Sequence, residues 1–130
     1  MTEAMNRSYR VPPGWHTVTP RIAAHDAKHL VEFLKEVFGA TGEYQHDRPS
    51  EIRIGDSVIM IGDAEARGPK SAFLYVYVAD TDTVFQRAVD AGARAIEEPF
   101  LTPYGDRRCM VEDQWGNSWQ IATLMGGSAG

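Results

Sequence analysis

The chain has 130 residues, 43% of them hydrophobic and 24% charged, and thirteen basic against eighteen acidic side chains leave a formal charge of -5. A chain of this length buries roughly two-thirds of its unfolded surface, either in one compact domain or in two small halves that share a core. It contains no Lys/Arg run to bind phosphates, no apolar run near the roughly 18 residues of a membrane span, and no apolar core in the polar N-terminus MTEAMNRSYR of the kind a signal peptide needs. Nucleic acid and membrane are therefore excluded as partners, and a cytoplasmic protein is expected. The lone Cys109 fits a reducing compartment, and between Arg108 and Met110, with no His nearby in sequence, it reads as a packed strand residue.

In chain order, a flexible tail over 1–13 precedes a strand from His16 to Ala24, and Asp26 caps a helix with Leu30, Leu34, Val37 and Phe38 at helical spacing. Gly39 ends that helix. A strand near Tyr44 follows, then Glu51 to Ile54 and Ser57 to Ile61, parted by the hairpin signal Gly55-Asp56. The polar stretch Glu65 to Lys70 separates this part from the next. Ala72 to Ala79, in which β-branched and aromatic residues alternate, gives the strongest strand signal. Asp80 or Thr81 caps a second helix with the stripe Val84, Phe85, Ala88 and Val89, and Gly92 ends it. Strands near Ala93 to Glu97, Arg108 to Glu112 and Ser118 to Thr123 complete the series before a Gly/Ser-rich tail over 126–130.

The order strand, helix, three strands thus occurs twice, in modules of about 15–64 and 71–124 within a single domain spanning 14–125. The pieces TVTPRI, VEFLKEVFGA, EIRIGDSVIM, YVYVADTD and YGDRRCMVEDQWGNSWQIA, in this order, resemble the vicinal oxygen chelate superfamily of glyoxalases, bleomycin resistance proteins and extradiol dioxygenases, and within it the small PhnB-like proteins. The resemblance implies an α+β fold. Paired βαβββ modules would form a curved, half-open mixed β-sheet barrel with helices on the convex face and ligand on the concave face. It also implies a homodimer in which modules from two chains complete each cavity.

Strand alternation turns every second side chain to each face. Leu74, Val76 and Val78 suit packing under a helix, which leaves Phe73, Tyr75 and Tyr77 to line the cavity. Ser118, Gln120 and Ala122 should face the same way, with Trp119 and Ile121 turned toward the helices. The resemblance places the metal positions of metal-dependent members at Thr19, Met60, Phe73 and Gln120. A hydroxyl, a thioether, a phenyl ring and a neutral amide do not hold a divalent ion, so neither a metal nor another cofactor is expected. His16, His25, His29 and His46 fall on turns, edges or the wet helix face and read as surface residues.

Arg21, Arg53, Arg108 and Met110 join Met60, Phe73, Tyr75, Tyr77 and Gln120 as candidate ligand-binding residues. The arginines would orient a polar or anionic ligand in one reading, and pair with Glu51 and one another as a structural network in the other. The resemblance places Asp106 and Arg107, in the Tyr104-Gly105 loop, at the rim of the cavity, where Asp106 reads as a capping or turn residue. Trp15 and Trp115 suit either a cavity rim or an interface. The expected function is metal-independent sequestration of an aromatic or polycyclic small molecule, similar to bleomycin-resistance-type members. The alternative is a lyase, isomerase or cyclase using Glu51 as acid or base, favoured by an open pocket and disfavoured by a Glu51 locked against an arginine. A third class, a dimeric interaction module with a filled cavity, predicts no open pocket.

Overall fold

The structure is a computed structural model and describes residues 10–65 and 68–126; the remainder of the expected tails and the centre of the expected join lie outside the described residues. The elements are β1 (Arg21–Ala24), α1 (Ala27–Phe38), β2 (Ser50–Ile54), β3 (Ser57–Asp63), β4 (Phe73–Tyr77), α2 (Thr81–Asp90), β5 (Arg94–Leu101), β6 (Asp106–Glu112) and β7 (Ser118–Leu124). They build two open mixed sheets, ordered β1-β3-β2 and β4-β7-β6-β5. The wiring repeats: β1 runs parallel to β3 as β4 runs parallel to β7, and the remaining pairs are antiparallel. The α+β fold is as the resemblance implies. None of the helices among the described residues is long and apolar enough to cross a membrane.

Three predicted strands are shorter than expected: the one over Ala72 to Ala79 is trimmed to Phe73–Tyr77, and the other two are each cut back for a local reason. The first begins only at Arg21, because Pro20 has no N–H to give a ladder and contributes just its carbonyl, which accepts from the Met60 amide at 3.0 Å. The strand predicted near Tyr44 is reduced to one bridge between Thr41 and Arg53. Gly42 then adopts a φ of 116° and passes so close to β2 that a Cβ there would lie 2.4 Å from the Glu51 carbonyl oxygen. Pairing stops at that point, and Tyr44 instead donates its hydroxyl to Asp63 at 2.6 Å.

One core serves both modules. Leu30, Val31, Leu34 and Val37 of α1 pack with Ile52 and Ile61 of the first sheet and with Trp119, Ile121 and Val111 of the second, all essentially removed from water. Phe38 at the end of α1 packs against Trp119 in a tilted arrangement with centroids 5.2 Å apart, and Arg87 of α2 donates to the Val37 carbonyl at 3.2 Å. The modules therefore meet helix to helix. The Asp80 carboxylate caps α2 through the Thr83 amide at 3.3 Å; Asp26 caps α1 only through its backbone, its side chain being turned to His29.

The turn between β6 and β7 is organised by one buried carboxylate. Asp113, only 5% exposed, accepts at Oδ1 from the amides of Trp115 and Asn117, both at 2.9 Å, and at Oδ2 from Asn117 Nδ2 at 2.9 Å and Trp119 Nε1 at 2.8 Å. Gly116 closes the turn at a φ of 85°. Asn117 Oδ1 then accepts from the Ala72 amide at 2.8 Å, so the same turn fixes the start of β4. In Asp113→Ala the Trp119 indole and the Asn117 donors lose their partners, at roughly 1–3 kcal/mol for each buried group left unsatisfied. The variant should lose at least ~3 kcal/mol of unfolding free energy by denaturant titration; a loss below ~1 kcal/mol would mean that the turn does not depend on this carboxylate.

Candidate functional site

With Leu74, Val76 and Val78 packed toward the core, β4 turns Phe73, Tyr75 and Tyr77 to its other face, where they are 66%, 37% and 61% exposed. Their neighbours across the sheet are Ser118, Gln120 and Ala122 of β7, which in turn face Glu112, Met110 and Arg108 of β6. The expected residues Phe73, Tyr75, Tyr77, Arg108, Met110 and Gln120 thus share one open sheet face.

A chain of hydrogen bonds runs across that face. Asp106, 1% exposed, accepts at a single oxygen, Oδ2, from Tyr75 at 2.6 Å and Tyr77 at 2.8 Å. The Tyr75 hydroxyl lies 3.2 Å from that of Tyr104, which accepts from Arg108 Nη1 at 2.9 Å. Arg108 also donates to both oxygens of Glu97, at 3.1 and 3.3 Å, and its guanidinium lies 5.0 Å from the Phe100 ring centroid. Partial desolvation, followed by the Asp106 hydrogen bond, raises the pKa of Tyr75 well above the usual phenol range; the Asp106 bond first and desolvation second raise that of Tyr77. Both rings therefore remain neutral donors at any physiological pH.

The other candidates lie on the first sheet. Arg21, Met60 and Glu51 stand side by side across β1, β3 and β2. Glu51 pairs with Arg53 at 3.3 Å, and Arg53 also donates to the Gly14 carbonyl at 3.2 Å. Arg21 is exposed and makes no hydrogen bond to any described residue; with Met60, Asp63 and Lys70 it borders a hollow of about 450 Å³. A second, more apolar cleft of about 620 Å³ follows the free edge of β4, between Val37, Phe38 and Val84 on the helices and Ile54 and Ile59 of the β2–β3 hairpin.

The donor set for a metal does not fit. Met60 offers a thioether in the first sheet, whereas Phe73 and Gln120 offer a phenyl ring and an amide in the second. Among the described residues no group of three or more His, Cys, Asp or Glu side chains could hold an ion. The histidines are exposed, and His29 is engaged with Asp26. Cys109 is buried, and desolvation pushes its thiol up to about 12, which makes it inert as a nucleophile at neutral pH.

A sequence profile of the glyoxalase/bleomycin resistance protein/dioxygenase superfamily matches residues 15–121. The chain belongs to this superfamily. Among solved structures, TioX from Micromonospora sp. ML1 superposes with a TM-score of 0.70 at 23% identity, over 83% of this chain and 98% of that one. TnmS3, an antibiotic binding protein from Streptomyces sp. CB03234, gives 0.67 at 20% identity, over 82% and 93%. The uncharacterized protein Mb0911c of Mycobacterium bovis is 26% identical, over 80% of each chain. These likenesses to solved structures establish the fold.

In this superfamily member the sequence pattern missed four contributors to the face: Asp106, Tyr104, Glu97 and Phe100. Asp106 was expected to be a turn residue, yet it opens β6 and shares the parity of Arg108 and Met110, a signal present in the sequence. Glu97 and Phe100 are three residues apart and would lie on opposite faces of a regular strand. A register shift in β5 across Glu98 and Pro99 sets Glu97 opposite Met110 and Phe100 opposite Arg108, so both reach the guanidinium. Trp115 packs edge-on against Phe33, away from the open face, with centroids 5.9 Å apart.

The raised tyrosine values have a sign. A phenol harder to ionise in the folded than in the unfolded chain adds stability that is full below the unfolded value, about 10, and is lost as pH rises toward the folded one. Stability should therefore fall above about pH 10. In Asp106→Asn the near-ultraviolet tyrosinate titration should begin at lower pH and the alkaline loss of stability should be shallower. Unchanged titration in the variant would exclude control of these hydroxyls by Asp106.

Proposed function

We propose that this protein binds an aromatic or polycyclic small molecule against the open face of the β4–β7 sheet, without a metal and without performing chemistry on it. The observation that carries the reading is the row Phe73, Tyr75 and Tyr77: three rings presented on one sheet face, two of them held by a buried carboxylate. Rings fixed in this way stack on a planar ligand with little further loss of freedom. The structural likeness to TnmS3, described as an antibiotic binding protein, supports sequestration as the role. The order of motifs from TVTPRI to the last hairpin supports a place among the small PhnB-like members, and one buried, unpaired cysteine fits the cytoplasm.

The enzymatic alternative required Glu51 as acid or base. Its pairing with Arg53 works against that role.

A homodimer completes this reading. The phenyl ring of Phe73, the side chains of Leu101, Leu124 and Met125, and the unpaired outer edge of β4 leave apolar surface and backbone groups in water, which a second copy would cover. Light scattering at micromolar concentration should give about twice the 14.4 kDa of one chain; a single-chain mass would remove the shared cavity. Elemental analysis should find no stoichiometric Zn, Ni, Fe or Mn, and a chelator should leave the melting temperature unchanged.

A thermal-shift screen of planar antibiotics and quinones tests the binding itself. Phe73→Ala and Tyr77→Ala should each weaken a hit by roughly tenfold, as the loss of a stacking ring at about 1–1.5 kcal/mol implies. His25→Ala and His29→Ala should have no effect. Loss of binding in the histidine variants with retention in the aromatic ones would move the site elsewhere.

A further inference from the structure

The hydrogen-bond chain on the open face has a fixed direction. At one end Arg108 can only donate, so the Tyr104 hydroxyl accepts from it and has its own proton free for Tyr75. At the other end the Asp106 carboxylate can only accept, so Tyr75 and Tyr77 both point their protons at its Oδ2. Every hydroxyl proton in the series Arg108, Tyr104, Tyr75, Asp106 is thereby assigned, and Tyr77 joins from the far side. What Tyr77 has left for anything on the open face is lone pairs.

The charges on this face point the same way. Arg108 is neutralised by Glu97, and Arg94 by Glu112. Arg107, next in sequence to Asp106, sends its side chain to Asp82, which it holds below the usual carboxylate range through that hydrogen bond. The Asp106 carboxylate accordingly has only neutral phenols as hydrogen-bond partners among the described side chains, and the exposed ring of Tyr77 is bonded directly to it. Exposed aromatic faces beside an uncompensated carboxylate attract cations and repel anions.

We propose, building on the binding reading above, that this face selects planar aromatic ligands bearing hydrogen-bond donors or a cationic centre, and rejects anionic ones, with Tyr77 as the accepting group and Asp106 as the positioning residue that makes it an acceptor. Of the two readings of the arginines, ligand orientation or structural pairing, this proposal takes the second for Arg108, which donates to Glu97 and Tyr104.

Three planar tricyclic probes test this: proflavine, a cation with two amino donors; acridine, with no such donors; and acridine-9-carboxylate, an anion. Fluorescence titration of the full chain should show proflavine binding at least tenfold more tightly than acridine-9-carboxylate, with acridine between them. Tyr77→Phe keeps the ring and the net charge and removes the hydroxyl, both the acceptor and its donation to Asp106, so it should reduce the proflavine-over-acridine preference roughly fivefold while acridine affinity holds. Asp106→Asn removes the negative charge that both Tyr75 and Tyr77 donate to and should shift the preference toward the anionic probe; a purely structural role would weaken all three probes alike. A preference for acridine-9-carboxylate, or a proflavine preference that survives both substitutions, would overturn the proposal while leaving the binding face intact. Failure of all three probes to bind would instead remove the binding reading, and the selectivity with it.

Discussion

The register of β6 against β7 is the constraint on which the rest depends, and a single buried carboxylate sets it. Asp113 gathers the turn amides, the Asn117 side chain and the Trp119 indole onto two oxygens, and Asn117 carries the same anchor on to Ala72. A one-residue slip in a strand moves every side chain to the opposite face. Because Trp119 is held from its indole nitrogen, β7 cannot slip without stranding a buried donor, so Ile121 stays in the core and Gln120 stays out. β4 inherits the choice through its parallel pairing with β7, and with it the exposure of Phe73, Tyr75 and Tyr77. The chemistry of the open face is thus decided at a turn that does not itself lie on it.

Two aspartates seven residues apart, at the two ends of one hairpin strand, divide the work. Asp113 faces into the core, accepts from backbone and indole donors, and determines which residues meet. Asp106 sits under the open face, accepts from two phenols, and determines which atom each phenol presents. Burying a carboxylate is costly unless its lone pairs are filled, and here tyrosines fill those of Oδ2. The rings keep their faces free for stacking while their hydroxyls serve the fold. That arrangement explains how side chains this exposed can still be held in one geometry.

Much of this was legible in the sequence because it follows from alternation. The two-module repeat, the inward Leu74, Val76 and Val78, the outward tyrosines and the buried Trp119 and Ile121 all come from a period of two anchored on strong strand signals. Where the period breaks, the reading failed. The β5 register shift at Glu98-Pro99 brings Glu97 and Phe100 to one guanidinium, and no alternation rule places them together. Gly42 ends a strand by closeness to the Glu51 carbonyl, a tertiary fact with no local signature beyond the glycine itself. Asp106 was missed for a different reason: its parity was visible, but proximity to Tyr104-Gly105 made a turn role the simpler one.

The arginines show why residue type alone could not settle the ligand's charge. Arg21, Arg53 and Arg108 suggest an anion site when counted, yet a cation attracts a ligand only in proportion to the charge its neighbours leave unbalanced. Arg53 is shared between Glu51 and a carbonyl, and Arg108 is held by Glu97, Tyr104 and Phe100 with little of its side chain in water. Arg21 is exposed on the other sheet. What remains beside the rings is the charge of Asp106, transmitted through hydroxyls whose protons all point toward it. On this face hydrogen-bond direction, rather than the inventory of charged side chains, sets the polarity of the exposed groups.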